Sequence, residues 1–108
     1  MAERTIDIGI LNSIKKYIEE VQKHYKVDAI ILFGSYAKGT NTEDSDIDIA
    51  VVSSDIKDWT DDTVKLMGLR WDIDLRIEPH PIHTDEFKPN ETPFIDEVIQ
   101  TGIAIYAA

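Results

Sequence analysis

An apolar run, Ile30-Ile31-Leu32-Phe33, stops abruptly at Gly34-Ser35. After ten intervening residues come two aspartates, Asp46 and Asp48, separated by one residue, and a second apolar run follows through Val52. Few folds accommodate this pattern. The first run has the length and β-branched content of a buried strand. Gly34 lets the backbone turn sharply and approach a ligand closely. Along the second run, Ile47, Ile49 and Val51 point one way, while Asp46, Asp48 and Ala50 point the other. The chain is therefore expected to place a strand, a tight turn, a polar loop and a second strand around a pair of carboxylates on one face.

The remaining segments supply a support for that pair. Ile6 to Tyr25 reads as an amphipathic helix, with Ile10, Leu11, Ile14, Tyr17, Ile18, Val21 and Tyr25 at three- and four-residue steps. Val27 to Phe33 is the first strand, Tyr36 to Gly39 a single helical turn, and Thr40 to Ser45 a loop. Asp46 to Val52 is the second strand, and Thr60 to Leu69 a short helix. Trp71 to Glu78 alternates, with Ile73, Leu75 and Ile77 on one face and Asp72, Asp74, Arg76 and Glu78 on the other. This predicts a third strand, which Pro79 and Pro81 stop. After a loop with a turn of helix over residues 83–90, Glu91 to Thr101 reads as a helix with Phe94, Ile95, Val98 and Ile99 inward and Gly102 as its C′ residue. Ile103 to Tyr106 makes a last edge strand. The expected fold class is α/β (α+β): a small, mixed, twisted sheet of three to four strands with helices mainly on one face. The carboxylates lie on the open face.

The 108 residues suit one domain, 1–108, and 43% hydrophobic residues suffice for its core. Cysteine is absent, which excludes disulfides, thiolate zinc sites and a cysteine nucleophile. Met1-Ala2-Glu3-Arg4-Thr5 lacks the pattern of a secretory leader, and no apolar run reaches the roughly 18 residues of a membrane span. A cytoplasmic location without membrane contact is expected. With 21 acidic and 11 basic residues the net charge is −10, which argues against direct binding of nucleic acid. The same charge suits a site for divalent cations or a basic protein partner.

Chemistry follows from the carboxylates. In a strand, residues i and i+2 lie about 6.5–7 Å apart on one face, so Asp46 and Asp48 can bracket magnesium, which prefers oxygen ligands and phosphate oxygens. A third carboxylate on a neighbouring strand completes a two-metal site that activates an attacking oxygen and stabilises a leaving one. Asp74 is the candidate and Asp72, on the same face, its competitor. Backbone N–H groups at Gly34 and Ser35 can hold a triphosphate, and Lys38 can neutralise a phosphate. Phosphoryl and nucleotidyl transfer rely mainly on positioning and charge stabilisation, so no protein nucleophile is required.

Phe33-Gly34-Ser35-Tyr36-Ala37-Lys38-Gly39, followed by Asp44-Ser45-Asp46-Ile47-Asp48-Ile49, resembles the signature of the DNA polymerase β-like nucleotidyltransferase superfamily. The small size resembles its minimal (MNT) members, including MntA-type antitoxins. Lys38 stands where many members carry arginine, which keeps the charge but loses the bidentate fork. The resemblance implies transfer of a nucleoside monophosphate, such as AMP from ATP, to an acceptor hydroxyl. It implies Mg2+, two ions, held by Asp46, Asp48 and Asp74, with Gly34, Ser35 and Lys38 on the nucleotide. It also implies a protein acceptor or partner, since larger members grip the acceptor with further domains. Many minimal members neutralise a HEPN-type ribonuclease toxin, some by transferring AMP to it. Inhibition by binding alone, or transfer to a small-molecule acceptor, are the rival readings.

Other residues have plainer readings beside functional ones. Glu78 is a further acid near the metals or a solvated strand end. Arg76 is an ion-pair partner or a triphosphate contact. His80 and His83 flank Pro81 and need further ligands to make a metal site. Trp59 and Trp71 are core or interface residues, or stack on a base. Tyr36 covers a nucleotide or packs under the loop.

Overall fold

A computed structural model describes residues 6–108. The leader-free reading of Met1-Ala2-Glu3-Arg4-Thr5 lies outside the described residues. The elements in order are helix α1 (Ile8–Gln22), strand β1 (Val27–Phe33), the single turn α2 (Ser35–Lys38), β2 (Ile47–Ser53), α3 (Trp59–Gly68), β3 (Ile77–His83), a 3-10 turn (Thr84–Glu86), α4 (Pro93–Thr101) and β4 (Ile103–Ala107). The four strands form one sheet in the order β3-β2-β1-β4. β1 pairs antiparallel with both β2 and β4, while β2 and β3 run parallel. Parallel neighbours need a crossover, and α3 supplies it.

Local chemistry explains where the helices start. The Asp7 carboxylate accepts from the N–H groups of Gly9 (2.7 Å) and Ile10 (3.4 Å) at the head of α1. Asp58 caps α3 through the Asp61 N–H at 2.9 Å, and Thr92 caps α4 through the Ile95 N–H at 3.0 Å, with Pro93 in the first turn. Each such cap is worth about 1 kcal/mol.

The sheet has a core on each face. On one, Ile10, Ile14, Tyr17, Ile18 and Val21 of α1 and Leu66 of α3 close over Ile30, Leu32, Ile47, Ile49, Val51 and Ile77. The Tyr17 hydroxyl, inside this core, donates to the Leu66 carbonyl at 2.7 Å and ties α1 to α3. On the other face, Ile95 and Val98 of α4 cover Ile31, Phe33, Ala50, Val52 and Ile82. The faces of β2 are therefore divided as its alternation predicts, and α1, α2 and α3 share one side. Phe94 and Ile99, expected inward, are half-exposed; only Ile95 and Val98 of α4 are buried. Gly102 donates to the Val98 carbonyl at 2.9 Å but has extended backbone rather than the left-handed turn of a C′ glycine. It is small for a different reason, since a Cβ there would strike the side chain of Ile31.

The third strand is displaced from its predicted position. Residues 71–76 are not a strand but a series of turns, closed by the N–H groups of Ile73 and Asp74 on the Arg70 carbonyl (2.9 and 3.1 Å) and of Ile77 on that of Asp74 (3.2 Å). The Arg70 guanidinium donates to the carbonyls of Leu75 (3.1 Å) and Ile77 (2.7 Å), fixing the approach to β3. The strand begins at Ile77 and runs through Pro79 and Pro81, which do not stop it. β3 is an edge strand, where alternate residues direct their N–H away from the sheet, so two prolines two apart remove no ladder bond. The alternation of Ile73 and Leu75 is consequently not that of a sheet face, and Leu75 is exposed. Trp59 and Trp71, read as core or interface residues or as stacking on a base, are exposed at 66% and 74%, so they do not belong to the core. Among the described residues, no helix is long and apolar enough to cross a membrane.

Candidate active site

The site forms where β1 ends beside the beginnings of β2 and β3. Phe33, the last residue of β1, pairs with Asp48 of β2, and Asp48 pairs on its other side with Glu78 of β3. Asp48 therefore stands between the Gly34 turn and the edge strand. Gly34 has φ +72° and ψ −151°, a conformation that L side chains rarely adopt. A Cβ on Gly34 would collide with a carboxylate oxygen of Asp48 and lie 3.2 Å from its Cγ. Two constraints thus demand glycine here: the left-handed φ and the approach of the carboxylate.

Asp48 and Glu78 are joined by His80, two residues further along β3 on the same face. His80 Nε2 lies 3.3 Å from Asp48 Oδ1. One ligand atom from each of Asp48, Glu78 and His80 falls within 4.8 Å of the other two. Asp46 joins them by a hydrogen bond shared between its carboxyl and that of Glu78. That bond, burial and the charges of Asp48 and Asp46 push the Glu78 carboxyl above its usual range, against a pull from His80. Carboxylates crowded in this way repel one another, and a divalent cation among them removes the repulsion. The donor set, carboxylate oxygens with one imidazole, fits such an ion.

The imidazole of His80 is held by rings. Its centroid is 5.0 Å from that of Phe33, edge-on at 64°, and 5.6 Å from that of Phe94 on α4. Phe33 and Phe94 also meet edge to face at 5.5 Å. The half-exposed Phe94 therefore contributes to the wall of the site.

The other expected residues lie apart from this group. Asp74, expected on a strand face beside Asp46 and Asp48, occupies the turn before β3. Its Oδ1 accepts from the backbone N–H and the Nε of Arg76, both at 3.0 Å, and its Oδ2 accepts from the guanidinium at 2.8 Å. These bonds from Arg76, followed by one from Ser13, hold Asp74 below the usual carboxylate range against the effect of burial. Asp72 lines a separate hollow of about 200 Å³ with Glu20, Leu69, Trp71 and Ile73. Arg76 also bonds to Tyr36 and lines a cavity of about 590 Å³ with Asp7, Ile10, Tyr36, Asn41 and Glu43, on the α1 side. Tyr36 itself is buried under the loop. Ser35 opens α2, and Lys38, at its end, bonds Glu97 of α4 at 2.8 Å across an exposed gap. His83 leaves the site and uses Nδ1 to accept the Asp85 N–H at 3.0 Å.

Glu78, read as a further acid near the metals or a solvated strand end, lies in this cluster; His80 escapes a reading in which Pro79 and Pro81 end the strand. Had the prolines been taken as marks of an edge strand, Glu78-x-His80 would have shown the same i, i+2 spacing as Asp46-x-Asp48.

Residues 12–108 match the family model described as polymerase beta, nucleotidyltransferase. A protein of Methanocaldococcus jannaschii, provisionally named a protein adenylyltransferase, is 32% identical over 99 residues, 91% of this chain and 97% of its own. A crystal structure from Sulfolobus solfataricus, provisionally named a nucleotidyltransferase, superposes with a TM-score of 0.68, covering 99% of this chain and 90% of that one; at 22% identity the likeness is one of fold. A toxin-antitoxin crystal structure with AMP-PNP has a TM-score of 0.59 and 27% identity, covering 91% of this chain and 73% of that one. A mutant of the toxin-antitoxin MntA-HpeT has a TM-score of 0.58 and 25% identity over the same shares.

Proposed function

Since the chain belongs to the polymerase beta nucleotidyltransferase family, we propose that it transfers AMP from ATP to a hydroxyl of a protein partner, a HEPN-type toxin that it neutralises as an antitoxin. The observation that carries this reading is the convergence of Asp46, Asp48 and Glu78 beside the Gly34 turn. Glu78 takes the place expected of Asp74, because it faces Asp48 across the parallel pair while Asp74 is committed to Arg76. The partner is suggested by the toxin-antitoxin neighbours and by the acidic surface of the chain. Trp59, Val64, Met67 and Trp71 are exposed on and just after α3, close to Asp58, Asp61 and Asp72 in sequence. An apolar surface with acidic surroundings suits a protein partner with basic charge.

Asp46, Asp48 and Glu78 would hold Mg2+, which would supply charge neutralisation at the phosphates and a lowered pKa of the attacking hydroxyl. The residues of this chain do the positioning. The Gly34-Ser35 turn brings backbone N–H groups to the triphosphate, and Lys38 swings from Glu97 to meet it. Asp48, pressed against Gly34, fixes its carboxylate beside the turn that receives the triphosphate. The acceptor oxygen forms a bond to the α-phosphorus as the bond to pyrophosphate breaks, and its proton passes to solvent.

The test is intact-mass spectrometry of the protein encoded beside this chain, incubated with the chain, ATP and Mg2+. A gain of one or more AMP units, absent with Asp46→Ala/Asp48→Ala, supports transfer to a partner. A stable complex without mass change shows inhibition by binding, and modification of small acceptors alone would overturn the choice of acceptor.

A further inference from the structure

We propose that His80 is a nitrogen ligand to a cation held by Asp48 and Glu78, and that it tilts this centre toward Mn2+ over Mg2+. The proposal rests on the metal-dependent reading above and concerns which ion the site selects. Three observations carry it. First, ligand atoms at about 2.0–2.2 Å from an octahedral ion, at right angles to one another, stand roughly 3 Å apart. His80 Nε2 and Asp48 Oδ1, at 3.3 Å, have nearly that separation. Second, the Glu78 oxygen completes the group within 4.8 Å, close to the width of one coordination sphere. Third, the ring is aimed. Phe33 and Phe94 pack against the imidazole at centroid distances of 5.0 and 5.6 Å, which restrains its rotation with Nε2 toward the carboxylates.

Selectivity follows from ligand chemistry. Magnesium demands oxygen ligands and retains water, whereas first-row transition ions accept imidazole alongside carboxylate. A position with two carboxylates and one imidazole therefore favours Mn2+, and the rest of the site, Asp46 with the phosphates, stays a pure oxygen environment. The alternative role for His80, a hydrogen bond that merely orients Asp48, would give no such preference.

The experiment is pulsed EPR on the full chain with Mn2+ as the probe, with isothermal titration of Mn2+ and Mg2+ in parallel. Wild type is expected to show a 14N coupling of the size direct ligation gives, replaced by 15N coupling when histidine is 15N-labelled. The other two histidines, His24 and His83, are removed in a His24→Gln/His83→Gln variant that keeps the signal. His80→Asn is expected to lose it and to weaken Mn2+ binding by about tenfold, with Mg2+ binding little changed. If His80→Asn does not fold, the labelled wild type and the double variant still decide the question. Bound Mn2+ without directly ligated nitrogen overturns the role of His80 and leaves the family reading intact. Failure of wild type to bind Mn2+ at all overturns both this proposal and the metal reading of the carboxylates.

Discussion

Gly34 and Asp48 occupy space that a single methyl group would deny to one of them: a Cβ on the glycine would overlap a carboxylate oxygen of the aspartate. The turn that ends β1 and the carboxylate at the head of β2 are thus one packed unit, formed by the pairing of Phe33 with Asp48.

Gly34→Ala is expected to cost about 1–2 kcal/mol of stability from its positive φ. It should abolish transfer, because Asp48 must move. Melting temperature and AMP transfer, measured together, check this; retained activity would show that the close approach is dispensable.

Glu78→Gln is expected to reduce transfer by roughly a hundredfold, the scale on which changes around a metal site act. Asp74→Asn should reduce it far less and instead cost about 1–3 kcal/mol of stability through the lost bonds to Arg76. Transfer rates and denaturant midpoints of the two variants separate these effects, and the reverse order would restore Asp74 to the site.

Opposite pH effects are expected from the same two residues. The Glu78 carboxyl is raised in the folded chain, so its contribution to stability is full below the ordinary carboxylate range and is lost as pH climbs through the raised value. Asp74 is lowered, so its contribution is present above that range and is lost as pH falls through the depressed value. Thermal melts in chelator should show Glu78→Gln removing part of the decline above pH 4.5. Asp74→Asn should remove part of the decline in acid.

Lys38→Ala is expected to change stability by less than about 1 kcal/mol, since its pair with Glu97 is solvent-exposed. The KM for ATP should rise while the melting temperature holds. An unchanged KM would exclude Lys38 from the triphosphate.

Tyr17→Phe should cost about 0.5–1.5 kcal/mol by removing the hydrogen bond that ties α1 to α3, while the Leu66 carbonyl keeps the Leu69 N–H at 3.2 Å. Urea denaturation measures it directly, and no loss would mean that α1 and α3 are held by apolar packing alone.

The motif around Gly34, Ser35, Asp46 and Asp48 was readable because a glycine break and an i, i+2 aspartate pair are local signals. β1, β2 and the helices around them followed from apolar periodicity. The third strand was misplaced because residues 71–76 alternate as a strand does. What settles their turns is the Asp74 side chain on the Arg76 N–H and the Arg70 guanidinium on two carbonyls, neither of which leaves a periodic trace. Glu78 is among the acids that the sequence offers near the metals, but its pairing with Asp48 and the place of His80 beside it depend on that register and are obscured with it. Trp59 and Trp71 are exposed and so lie outside the core, because hydrophobicity alone does not report which side chains face the sheet.

The prolines of β3 have one more effect. An edge strand normally offers a row of amide hydrogens to any extended peptide that comes alongside. Pro79 and Pro81 offer none, so the rim beside the carboxylates is closed to β-augmentation. A partner strand that extends this sheet finds its amide donors at the β4 edge rather than at these two positions of β3.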